Sequence, residues 1–132
     1  MINKIEISNY LYVLMMIVIF GCSAAFGQTF INGDFEDRIA KDIVAVEFWA
    51  GWNAHNQFED LSKLKECEKY RLDIMADAGI QSKYDITGIP TVIIFENGVE
   101  KERFLPNIMF KLHADKKTIQ NSVDTLILNK FQ

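Results

Sequence analysis

An α/β fold built on a mixed sheet is predicted by three features of this 132-residue chain. "DIVAVEFWA", from Asp42 to Ala50, is a near-continuous apolar run, as expected of a strand buried on both faces. "PTVIIFENGVEKERF" reads as two strands joined by Asn97-Gly98, the strongest short hairpin signal. Between and after these runs lie segments with helical spacing. Strand–helix alternation followed by a hairpin means α/β with parallel and antiparallel pairs in one sheet.

The elements follow in order. "QTFI" is a short first strand. "GDFEDRIAK" places Phe35, Ile39 and Ala40 at helical spacing, with Asp34 as the expected cap. The central strand comes next, broken only by Glu47. "NQFEDLSKLKECEKY" reads as a helix, because Phe58, Leu61, Leu64 and Cys67 recur every three residues. "RLDIM" is a strand, and Met75 beside it reads as ordinary core. "DAGIQSKY" is a short helix ending at "DITG". After the hairpin, "ADKKTIQNSVDTLILNKF" puts Ile119, Val123, Leu126 and Ile127 on one face, with Asp115 as cap.

The first 27 residues stand apart from this pattern. Lys4 precedes an unbroken apolar run from Leu11 to Phe20, and small residues follow at Ala25 and Gly27. Ten apolar residues suit a signal-peptide core and fall short of the roughly 20 that a spanning helix needs. Residues 1–27 are therefore expected to be a signal peptide, and residues 28–132 the domain. A lipoprotein signal at Cys22 and a retained anchor are the other readings. All three export the domain to the periplasm, cell envelope or medium, with membrane contact only through this segment.

Composition narrows the function. The formal net charge is −4, with no basic patch of the kind a nucleic-acid surface shows. Two cysteines and two widely separated histidines do not make a zinc site, which needs about four ligands. No metal or other cofactor is expected.

Two blocks then resemble a known family. "VEFWAGWNAHN" is similar to the active-site strand and turn of thioredoxins and protein disulfide isomerases, and "YDITGIPTVIIFENG" to their second signature. The resemblance spans about Thr29 to Leu128 and implies a thioredoxin fold, with a mixed central sheet, helices on both faces and a cis bond before Pro90. It also implies that Asn53 and Asn56 stand where the family carries Cys-x-x-Cys. Glu47 then matches the buried acid that shuttles protons, and Arg71 its basic partner. Pro106 falls near an expected glycine, and the segment from Asn56 to Arg71 is shorter than usual.

The family chemistry needs a thiolate to attack a disulfide and a second thiol to resolve it. Amides do neither, so no catalytic residue is assigned at 53 and 56. Asn53 is expected to cap a helix, and His55 to be an exposed turn residue. Trp49 is expected in the core and Trp52 at the surface. Cys67 is expected to be a buried, inert thiol on its helix. A peptide-binding groove of Trp52, Asn53, His55, Ile89 and Pro90 can outlive the cysteines. The expected function is thus a non-catalytic, chaperone-like module for extended or unfolded polypeptide. The alternative is a thiol–disulfide oxidoreductase acting through Cys67 or a partner's thiols, and a structural subunit is a third class.

Overall fold

The computed structural model describes the backbone of Thr29–Phe30 and residues 34–132 in full; the leader reading, including Cys22, lies outside the described residues. Five strands form one sheet: β1 (Thr29–Phe30), β2 (Ile43–Trp49), β3 (Glu68–Asp73), β4 (Thr91–Glu96) and β5 (Val99–Phe104). Their order is β1-β3-β2-β4-β5. β1 and β2 both run parallel to β3, while β4 is antiparallel to β2 and β5. The sheet is mixed, as the alternation-then-hairpin pattern requires.

Alternation along β2 sends its side chains into two separate cores. Val44, Val46 and Phe48 pack with Ile93, Phe95 and Leu72 beneath α1 (Phe35–Ile39) and α2 (Ala78–Lys83). Phe35, Phe48, Phe95 and Tyr84 meet there mostly edge to face, the geometry that ring quadrupoles favour. Ile43, Ala45, Val92 and Ile94 pack on the other face beneath Ile119 and Val123 of α3 (Lys116–Asn129). Helices therefore cover both faces.

Local chemistry sets the boundaries. Asp115 caps α3 by accepting the Thr118 amide at 2.8 Å, and Asp77 caps α2 through the amides of Gly79 and Ile80. Asp34 occupies the cap position of α1, but its carboxylate bonds Arg38 at 2.8 Å and caps nothing. The β4–β5 turn places Asn97 at φ 50° and Gly98 at φ 82°, the left-handed pair of a tight hairpin. Gly98→Ala would force a Cβ into that region; a loss of about 1–2 kcal/mol is expected in denaturant titration.

Two further expectations fail. The helix expected over Asn56–Tyr70 is replaced by two 3-10 segments, Gly51–Asn56 and Glu59–Lys63, and β3 already begins at Glu68. The apolar residues explain why: a strict three-residue repeat fits three residues per turn, not 3.6. Phe58, Leu61 and Leu64 are all buried against the second core. Met75 is not core; it is 71% exposed just beyond β3.

Candidate functional site

The site lies where β2 ends. Phe48 is the register partner of Thr91, so the cis Ile89–Pro90 bond sits beside the point where the turn Gly51–Asn56 leaves the sheet. The expected cis bond is present. The side chains of Ile89 and Pro90 are themselves buried, so their contribution to any groove is backbone.

Behind the turn, Glu47 and Arg71 are register partners on adjacent strands, and both are fully buried. The Arg71 guanidinium donates to the Glu47 carboxylate at 2.6 Å through Nε. Glu47 Oε1 accepts the Phe58 amide at 2.7 Å, and Arg71 Nη2 donates to the Phe58 carbonyl at 3.1 Å. The pair thus bonds both main-chain polar groups of Phe58, whose carbonyl also accepts the Leu61 amide at 3.2 Å. Burial pushes the Glu47 carboxyl up, opposed by the Phe58 amide and the Arg71 charge. Arg71 also lies 5.9 Å over the ring of Trp49, which is half-buried rather than full core.

The asparagines do something the sequence did not suggest. Asn53 caps no helix: the turn starts at Ala50 without a side-chain cap, and Asn53 has φ −109°, ψ 28°. Its side chain is buried instead, 2% exposed. Asn53 Nδ2 donates to the carbonyl of Phe110 at 2.9 Å. Asn53 Oδ1 accepts from Asn56 Nδ2 at 2.9 Å. Asn56 Nδ2 also reaches the Met109 carbonyl at 3.5 Å and a ring nitrogen of the exposed His55 at 3.2 Å. The side chains of Asn53 and Asn56 are bonded to each other and to a distant loop.

That loop, residues 105–114, joins β5 to α3. Pro106 bridges to Leu112, and the Asn107 amide donates to the Lys111 carbonyl at 2.7 Å. Asn107 Oδ1 accepts the amides of Met109 and Lys111. Phe110 sits at φ 56°, uncommon for a bulky residue. Its ring stacks edge-on against Trp52, 5.6 Å between centroids. On its other side the loop abuts the proline segment: a Cβ built on Gly88 would lie 3.0 Å from Pro106 Cγ. The loop therefore touches both halves of the expected groove. Trp52 remains 60% exposed, and Ile108 and Met109 at the loop tip are 97% and 66% exposed. An open cleft beside them is lined by His55, Asn56, Phe58, Glu59, Lys111 and Leu112, among others. The sequence reading missed this loop; three consecutive large apolar residues, Ile108 to Phe110, outside any strand or helix pattern were its signal.

Cys67 lies in the link before β3, not on a helix, half-buried against the second core. Burial pushes its thiol up to about 11, so little thiolate forms at neutral pH. Among the described residues no cluster of His, Cys, Asp and Glu is arranged to hold a metal ion.

Comparison with known proteins agrees with this geometry. The Thioredoxin family model matches residues 28–109. A thioredoxin of Mycoplasma genitalium is 34% identical over 82 residues, covering 51% of this chain and 74% of that protein. Protein disulfide isomerase-like 1-4 of Oryza sativa is 36% identical over 80 residues, covering 52% of this chain and 14% of that longer protein. Among solved structures, a mutant thioredoxin from Halobacterium salinarum superposes with a TM-score of 0.61 at 18% identity, covering 74% of this chain and 88% of that one. Sheet order, proline segment and family model converge: the chain belongs to the thioredoxin family.

Proposed function

We propose that this chain is a redox-inactive thioredoxin-family domain that binds polypeptide without turning it over. The observation that carries the reading is the state of the dithiol positions: Asn53 and Asn56 hold each other and a loop, beside an exposed Trp52. An amide neither attacks a disulfide nor resolves one. The raised thiol of Cys67 supports the same reading against an oxidoreductase working through that residue. The apolar run Leu11–Phe20 supports export to the cell envelope or medium.

The groove differs from the one expected. The loop 105–114 lies on the turn, so the surface offered is Trp52 with Phe110, Met109 and Ile108, rather than Trp52 with the side chains of Ile89 and Pro90. Burying one large aromatic stabilises a complex by about 1.5–3 kcal/mol, equivalent to roughly tenfold or more in affinity. Trp52→Ala is expected to weaken binding of unfolded-protein peptides by that amount. Its melting temperature should stay close to that of the unsubstituted protein, because surface changes are usually within about 0.5 kcal/mol. The unsubstituted protein should not reduce insulin with dithiothreitol above the background rate. Turnover matching a thioredoxin control, or unchanged peptide binding by Trp52→Ala, would overturn the proposal.

A further inference from the structure

We infer that the loop 105–114 is an autoinhibitory strap: clasped by Asn53 and Asn56, this segment of the chain itself lies across the groove between the turn and the proline segment, and a polypeptide reaches the whole groove only when the strap swings away. The inference rests on the binding function proposed above.

The loop is built as one body. The Asn107 amide-to-Lys111 carbonyl bond, the Pro106–Leu112 bridge and a bond from the His113 amide to the Leu105 carbonyl at 3.1 Å close it on itself as a small hairpin. Leu112 and Ala114 root it by packing on the second core. Beyond that root the clasp holds it. Asn53 spends its donor on the Phe110 carbonyl and its acceptor on Asn56, in a nearly water-free position. Releasing either end leaves a buried polar atom unsatisfied, so the clasp favours the closed strap. Asn56 adds a hold on the Met109 carbonyl, and the Trp52 ring adds the edge of Phe110.

The strap meets both sides of the groove. On the turn side it contacts Trp52, Asn53 and Asn56. On the proline side Pro106 fills the space that a side chain at residue 88 would take. Ile89, whose main chain would pair with an extended polypeptide as a sheet edge does, is 3% exposed over the whole residue. With the strap closed, a second strand cannot reach it. The closed state is also poised to open. Phe110 sits at φ 56°, a conformation that a bulky residue keeps only where its surroundings impose it. Opening relieves that backbone, and it forfeits little burial at the tip, because Ile108 and Met109 are 97% and 66% exposed already. Closed, the domain offers Trp52 with the loop tip; open, it adds the ground beneath the loop. A polypeptide that binds this ground shifts the population toward the open state.

The test reads loop state and binding in the same full domain. Nuclear Overhauser effects between the ring protons of Trp52 and Phe110 report whether the strap is closed. Titration with the reduced, alkylated B chain of insulin reports binding of an extended polypeptide. Asn53→Asp replaces the donor on the Phe110 carbonyl with an acceptor. It should weaken the ring-to-ring effects at least fivefold and raise affinity for the B chain tenfold or more. A site open in a fraction of the molecules shows an affinity reduced by that fraction, so a tenfold gain means a strap closed in about nine molecules of ten. If Asn53→Asp does not fold, Asn56→Ala removes the hold on Met109 and the partner of the Asn53 acceptor from a less buried position. A strapless variant, with residues 106–112 replaced by an Asn-Gly link, joins Leu105 to His113, which are already bonded main chain to main chain. It should bind at least as tightly as Asn53→Asp. Rings that stay in contact in Asn53→Asp and Asn56→Ala would overturn the clasp. Rings apart with affinity unchanged or lowered would overturn the autoinhibition while leaving the binding function standing. No binding by the unsubstituted protein or the strapless variant would remove the binding function and the strap's role with it.

Discussion

Arg71→Met is expected to destabilise the fold by about 3–5 kcal/mol, because it leaves the Glu47 carboxylate buried without its counter-charge. The Phe58 carbonyl loses one of its two donors in the same variant and keeps the Leu61 amide. Glu47→Leu combined with Arg71→Met should regain much of that loss, since an apolar pair of similar volume needs no compensation. The pH dependence has a definite sign. Burial raises the folded-state pKa of Glu47 above its unfolded value of 4.5. The folded state then holds a proton over a pH range where the unfolded state has released it. The contribution of a raised acid is fully present below pH 4.5 and is lost as pH rises through the folded pKa. Removing the Arg71 charge raises that pKa further, so the deficit of Arg71→Met should be smallest in mild acid and grow toward neutral pH. Denaturant titrations of both proteins at pH 4.5, 6 and 7.5 measure this. A deficit independent of pH would mean that Glu47 does not titrate in this window, and the charge account would fail.

Asn53→Cys with Asn56→Cys is expected to show more disulfide-reductase activity than the unsubstituted protein, yet to remain well below a thioredoxin control. The side chains at these positions touch, so two thiols there are within reach of each other. Activation is what the scaffold lacks. A helix N-terminus lowers an attacking cysteine from about 8.5 to about 7 in a thioredoxin. Here the turn is a six-residue 3-10 segment with a non-helical residue at position 53 and no long α-helix behind it. The thiolate fraction at pH 7 should then be lower by roughly tenfold, and the rate of insulin reduction with it. The same substitution removes the donor to Phe110, so the loop should be released. Iodoacetamide alkylation against pH reads the thiol directly. An attacking-thiol pKa near 7 would mean that the turn activates a thiol without a helix.

Much of the fold was legible because its signals are local. The Asn97-Gly98 turn, the apolar β2 run and the Asp115 cap each depend on a few neighbouring residues, and each lies where the sequence puts it. The Glu47–Arg71 pair was legible through the family resemblance, which aligned two residues 24 apart. The segment after the turn was misread as α-helix although its apolar period of three was plain. Helical amphipathicity and a 3-10 repeat share the i, i+3 contact and differ only over several turns. Cys67 went with it, since its place on a stripe assumed that helix. Least legible was the partner of Asn53, because the bond ends on a main-chain carbonyl 57 residues away. No side chain type at position 110 announces such a contact.

That last point shapes how the surface can vary. Because Asn53 binds main chain, the clasp is indifferent to the side chains of residues 108–110 and sensitive to where their backbone runs. Recognition at the tip can be rewritten by substitution alone, since the side chains of Ile108 and Met109 are exposed and the loop's bonds there are made by main chain. Loop length has no such freedom. One residue added or removed between Asn107 and Lys111 would break the Asn107 amide-to-Lys111 carbonyl closure and shift the Phe110 carbonyl off its donor. A set of loops varied in composition but fixed in length is thus a ready scaffold for new specificities, with the asparagine pair left untouched.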